Sequence, residues 1–148
     1  MGARRVEGLL IERPAGELLV LKPSTHEAHA LNETAAIVFD LCDGTTSRDV
    51  MVTEVARRTG LPADESIVDL ALTELSDAGL VVLADAERPG ISRRALIRKL
   101  ALPVAGIAML PVVETILMPT VSSGQSFTPP PPAAGFSGQP IQLPDHVA

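Results

Sequence analysis

At 148 residues and a formal net charge of −6, the chain has room for one small domain and a tail, and its single cysteine excludes an intramolecular disulfide framework or a multi-cysteine zinc site. Of Phe39, Phe127 and Phe136 only the first lies where a core is expected, so that core must be aliphatic and small. Charge is unevenly placed: residues 1–90 hold 16 acidic and 8 basic side chains, whereas residues 91–99 hold four basic and no acidic ones.

The N-terminus has no apolar h-region and MGARRV lacks a Ser or Thr at position 6, so neither a secretory signal nor a myristoylation signal is read there, and a cytoplasmic location is expected. Two apolar runs, Val6 to Glu12 and Glu17 to Lys22, flank Arg13-Pro14-Ala15-Gly16, a turn of hairpin length, and predict two antiparallel strands. Thr25 to Leu31 predicts a third extended segment. Its residues are poor strand formers, and a weak strand at a sheet edge leaves backbone N–H and C=O groups open.

Asn32 is a good N-cap for a helix over Glu33 to Cys42, with Leu31, Ala35, Val38, Phe39 and Cys42 on one side and Asp43-Gly44 as its stop. Ser47 caps a second helix, Arg48 to Thr59, whose stripe is Val50, Met51, Val55 and Ala56 and whose stop is Gly60. A third helix starts at the N-cap Asp64 and ends before Gly79, followed by an apolar strand, Leu80 to Leu83. At 100° per residue Val68, Ala71, Leu72, Leu75 and Ala78 form its buried seam, while Ile67 and Leu70, continued by Glu74, lie on a flank beyond it. That flank either packs under the domain's own sheet or forms a groove wall for a partner. The helix carries Asp64, Glu65, Asp69, Glu74 and Asp77 and no Lys or Arg, a charge that phosphates would repel. These elements predict an α+β fold: a small winged-helix-like domain with an N-terminal antiparallel β-hairpin, a third strand and three helices, followed by a partly disordered tail.

Little in the chain suggests bond-making chemistry. His26 and His29 flank Glu27, but residues three apart in an extended segment face opposite ways and no further ligand stands at metal-site spacing. Cys42 falls on the buried side of a helix and reads as core. No phosphate loop, GxSxG elbow or HExxH occurs, so a non-enzyme without metal or cofactor is expected. An open strand edge beside a helix with spare apolar surface is what β-augmentation requires.

Residues 29–81 resemble the PqqD family: Asn32 after the third strand, Ile37 to Asp43-Gly44 closing the first helix, Thr46-Ser47 before the second, and Leu75 to Gly79-Leu80 closing the third. With the hairpin included, the resemblance takes in most of the span read as a PqqD-like peptide-binding domain, residues 1–88. Such domains are peptide chaperones, also called RiPP recognition elements, which act in natural product biosynthesis. The resemblance implies capture of the leader of a ribosomally made precursor peptide as an added strand, and its presentation to a modifying enzyme, often a radical SAM protein. Carried over by position, the peptide would meet His26, Glu27, Ala28, His29, Ala30 and Leu31 on the strand and Ile67, Leu70, Ala71 and Glu74 on the helix.

Residues 89–119 read as a basic and apolar extension and 120–148 as a Pro/Gly/Ser-rich disordered tail. The apolar run Leu100 to Val113 contains Pro103 and Pro111 and is too short to span a membrane. A second apolar piece, Val112 to Met118, lies between Pro111 and Pro119. Ser92 to Lys99 resembles a twin-arginine export signal in which Leu96 replaces Phe and Arg98 replaces Lys, beginning at residue 92. Arg93, Arg94, Arg98 and Lys99 are candidates for contact with a membrane surface, within residues 93–118, or with a partner. The same segment could pack on its own domain, or be an internal export signal or a fused peptide substrate. Other readings are a winged-helix regulator, which would need nucleic-acid contact that the acidic third helix argues against, and a membrane-associated scaffold acting through residues 93–118.

Overall fold

A computed structural model describes residues 2–84 and 90–118. The expected disorder of residues 120–148 and the boundary at residue 88 both lie outside the described residues.

The chain runs β1 (Arg4–Arg5), β2 (Leu10–Glu12), β3 (Leu18–Lys22), β4 (Glu27–Leu31), α1 (Glu33–Leu41), α2 (Arg48–Thr59), α3 (Glu65–Asp77), β5 (Val81–Val82), α4 (Arg93–Leu100), α5 (Val104–Ala108) and β6 (Val113–Leu117). Two sheets form. One is the small pair β1-β5, and the other has four antiparallel strands in the order β2-β3-β4-β6. The fold is α+β.

The run Val6 to Glu12, predicted as one strand, is shortened. Only its end, Leu10–Glu12, is a strand, which makes the hairpin with β3; Gly8, at a left-handed φ of 79°, turns the chain between it and a strand not predicted, Arg4–Arg5, which pairs with Val81–Val82. The strand predicted over Leu80 to Leu83 is correspondingly short and closes onto the N-terminus. The third strand starts at Glu27, later than predicted, because His26 has a φ of 58° and breaks the extended run.

The helix termini follow the capping residues. Asn32 Oδ1 accepts from Ala35 N–H and Asp64 Oδ1 accepts from Ser66 N–H, while Gly60 and Gly79 take the left-handed positions that end α2 and α3. The three helices pack pairwise and α1 contacts β4, so the core lies between this bundle and the inner sheet face of Leu18, Val20 and Leu31. Phe39, Met51, Val55, Val68, Leu72 and Leu75 are fully buried in it. Val50, expected in the α2 stripe, is 48% exposed: the bundle buries α2 along Met51 and Val55, with Val52 packed partly against it.

Beyond Gly90 the apolar run is cut into three elements by Ala101, in a left-handed conformation, and by Pro103 and Pro111. No helix among the described residues is long and apolar enough to cross a membrane.

Candidate peptide-binding site

The edge of β4 that faces away from β3 is not open. β6 lies along its whole length, antiparallel, with Glu27 opposite Leu117, His29 opposite Thr115 and Leu31 opposite Val113. Met118 N–H donates to His26 O at 3.1 Å beyond one end of the ladder, and Asn32 N–H donates to Val112 O at 3.2 Å beyond the other. Because antiparallel pairs alternate, these two bonds make Ala28 with Ile116 and Ala30 with Glu114 the hydrogen-bonded pairs. His29 and Thr115 form the close non-bonded pair between them.

The segment leading into β6 is held by side chains of the domain. Asn32 serves two elements: besides capping α1, its Oδ1 accepts from Val112 N–H (3.1 Å) and its Nδ2 donates to Leu110 O (2.7 Å). Thr34 Oγ1 donates to Met109 O. Leu110 and Leu96 are fully buried and join the core cluster, and α4 packs on α3.

This packing overturns one expectation and decides between two others. The edge expected to be free is paired, and Ile67 and Leu70, read either as packed within the domain or as a groove wall, are 0% and 2% exposed. α4 packs on α3, and Leu96 and Leu110 join the same core cluster as Ile67 and Leu70, a contribution from more than 20 residues downstream that a helical wheel cannot contain. Ala71 is buried in the seam and Glu74 is half-buried.

The strand residues separate by face. Glu27, His29 and Leu31 share the face toward the helices, the last two buried and Glu27 half-buried; Ala28 and Ala30 are half-buried on the other; His26 is exposed in the preceding turn and enters the site through its carbonyl. Burial holds the His29 ring below its ordinary pKa, opposed by the Glu27 carboxylate 3.9 Å from Nε2 and assisted by the charge of Lys22. Among the described residues no group of three or more His, Cys, Asp or Glu could hold a metal ion. Cys42 is fully buried, its thiol donates to Val38 O, and burial pushes it up to about 12, so it carries no thiolate at neutral pH.

Two of the four basic residues expected to meet a membrane or partner are engaged within the chain. Arg93 donates to Pro111 O (2.8 Å) and Ile107 O (3.3 Å), and Lys99 donates to Ser66 Oγ (2.6 Å) and Asp64 Oδ1 (3.2 Å) at the start of α3. Arg94 and Arg98 are exposed. Sequence reasoning missed Asn32 and Thr34 as clamps, and it missed β6. The available signal for β6 was Val112, Val113, Thr115 and Ile116, β-branched residues set between two prolines.

A family model described as Coenzyme PQQ synthesis protein D (PqqD) matches residues 17–81. Over this span the chain is similar to the PqqD family. The match begins just before β3, takes in β4 and the three-helix bundle, and stops inside β5. The PqqD domain therefore supplies the edge and the helix flank, whereas α4, α5 and β6 lie beyond it. No match was found among curated proteins or among solved structures.

Proposed function

We propose that this PqqD-like protein is a non-catalytic accessory in the biosynthesis of a ribosomally made, modified peptide. Its domain binds an extended leader on the β4 edge and presents it to a modifying enzyme of the radical SAM type. The observation that carries this reading is the β4–β6 ladder: the edge takes up a five-residue antiparallel strand from a segment more than 80 positions away in sequence. An edge that pairs with backbone N–H and C=O groups draws affinity from the ladder and selectivity from alternate side chains, which suits a peptide guest. Asn32 extends that recognition past the strand, because its amide reads the backbone at two positions, Leu110 O and Val112 N–H. The family's printed description, a protein of coenzyme PQQ synthesis, agrees with an accessory role in making a peptide-derived product.

The test is an amide spectrum of the full chain carrying Ile116→Pro, which removes an N–H from the β4–β6 ladder and opens the edge. Titration with candidate leader peptides is expected to shift the amides of Glu27 to Leu31 and leave α2 unmoved. Unchanged spectra at large peptide excess would refute the reading.

A further inference from the structure

We propose that this chain carries its own leader: Leu110 to Met118 is the peptide that the β4 edge binds, and residues 119–148 are the substrate segment it holds for the modifying enzyme. This rests on the reading of β4 as a peptide-binding edge and adds the identity of the guest.

The strand is attached as a guest is. It lies outside the family match, which ends at residue 81, so the PqqD domain is defined without it. Its hold is mostly backbone. Glu114, Thr115, Ile116 and Leu117 are all exposed, Leu117 at 73%, only Val113 packs partly on the core and only Thr115 meets a buried side chain, His29; the inner strands β3 and β4 bury alternate residues, while β2, the opposite edge, is exposed throughout as β6 is. Anchoring comes from the approach to the strand, through Leu96, Leu110 and the Asn32 clamp. A separate leader would have to displace a tethered one, and tethering sets an effective concentration of about a millimolar, so the occupant favoured by connectivity is the one already attached.

The chain that continues past β6 has a composition suited to being acted upon. Residues 119–148 include Thr120, Ser122, Ser123, Ser126, Thr128 and Ser137, and contain no Lys, Arg, Glu or Cys. The substrate is thus a proline-rich peptide that offers hydroxyl, aromatic and amide groups and neither a thiol nor a side-chain amine.

The experiment uses the full chain, as wild type and as Ile116→Pro, with Glu114→Pro as a second variant at the other hydrogen-bonded pair; the amides of α1 to α3 report that each is folded. A labelled synthetic peptide of residues 109–119 is the probe. Both variants are expected to bind it at least tenfold more tightly than wild type, with shifts at Glu27 to Leu31. In parallel, protein recovered from its producing cells is cut with trypsin, which releases residues 100–148 whole because Lys99 is the last Lys or Arg. That fragment is expected to differ from its encoded mass by a change mapped to residues 119–148, and the difference should vanish in Ile116→Pro. Equal binding of the probe by wild type and variants would overturn occupancy in cis. Probe binding by the variants together with an unaltered fragment mass would overturn the substrate assignment and leave the peptide-binding reading standing. Folded variants that bind no peptide would overturn both.

Discussion

His29 Nδ1 lies 3.0 Å from Thr115 Oγ1, across the pair that joins the domain to its C-terminal strand, and His29 Nε2 is buried without a hydrogen-bond partner among the described residues. The ring is held neutral by burial, and the groups facing it act in opposite senses, Glu27 raising and Lys22 lowering its affinity for a proton. Since the folded pKa is below the ordinary 6.5, the unfolded chain binds more protons in the window between the two. The stability contributed by neutral His29 is therefore present above 6.5 and is lost as pH falls below it. Urea midpoints measured from pH 7.5 down to 5.5 should decline for wild type and decline less for His29→Gln. Release of β6 should show the same pH dependence, because it uncovers the ring.

Asn32→Ala removes the α1 cap and leaves Leu110 O and Val112 N–H without their side-chain partner. Loss of a cap costs about 1 kcal/mol, and orphaning partly buried backbone groups adds a similar amount, so a loss of about 2 kcal/mol is expected in a urea melt. Asn32→Asp keeps the acceptor for Ala35 and Val112 but cannot donate to Leu110 O, and should lose less.

Leu96 is fully buried although it lies on a short, basic helix outside the family domain. Leu96→Ala is expected to lower the unfolding free energy by about 2–5 kcal/mol, the range for truncating a buried leucine. Amide exchange should show the loss concentrated in α4 and on the Ile67–Leu70 flank of α3. Protection unchanged on that flank would mean that α4 does not cover it in solution.

Cys42 should be inert to iodoacetamide in the native protein and react fully in denaturant, because burial holds its pKa near 12. Intact mass after timed alkylation reads this directly. Rapid native labelling would show that α1 opens at its C-terminal end.

Much of the domain was legible because its signals are local. Asn32, Asp64, Gly60 and Gly79 set helix ends through their own backbone neighbours, and α2 starts after Ser47 as expected although the Ser47 side chain makes no cap hydrogen bond. The candidate edge was found for a weaker reason, the position of a poor strand between a proline turn and a helix cap. What the sequence did not disclose was long-range. The flank of Ile67 and Leu70 was recognised as surplus apolar surface, but periodicity measures what a helix offers and not what comes to cover it. α4 reaches that helix from downstream, and the register of β6 on β4 is set by pairing between residues more than 80 positions apart. The shortening of the N-terminal run has the opposite, local reason: one glycine, Gly8, outweighs the apolar pattern on both sides of it.

Adding β6 to the sheet moves its open margin outward by one strand without removing it, since β6 is terminal in the order β2-β3-β4-β6 and the alternation that points Glu114 and Ile116 at β4 points the N–H groups of Val113, Thr115 and Leu117 away. A margin of that kind invites copies of the molecule to stack into fibres. Here Pro111 on one side and, in sequence, Pro119 on the other limit it to a few residues, and the Glu114 carboxylate sits within it, so the protein can lend its backbone to one neighbour at a time while resisting runaway polymerisation.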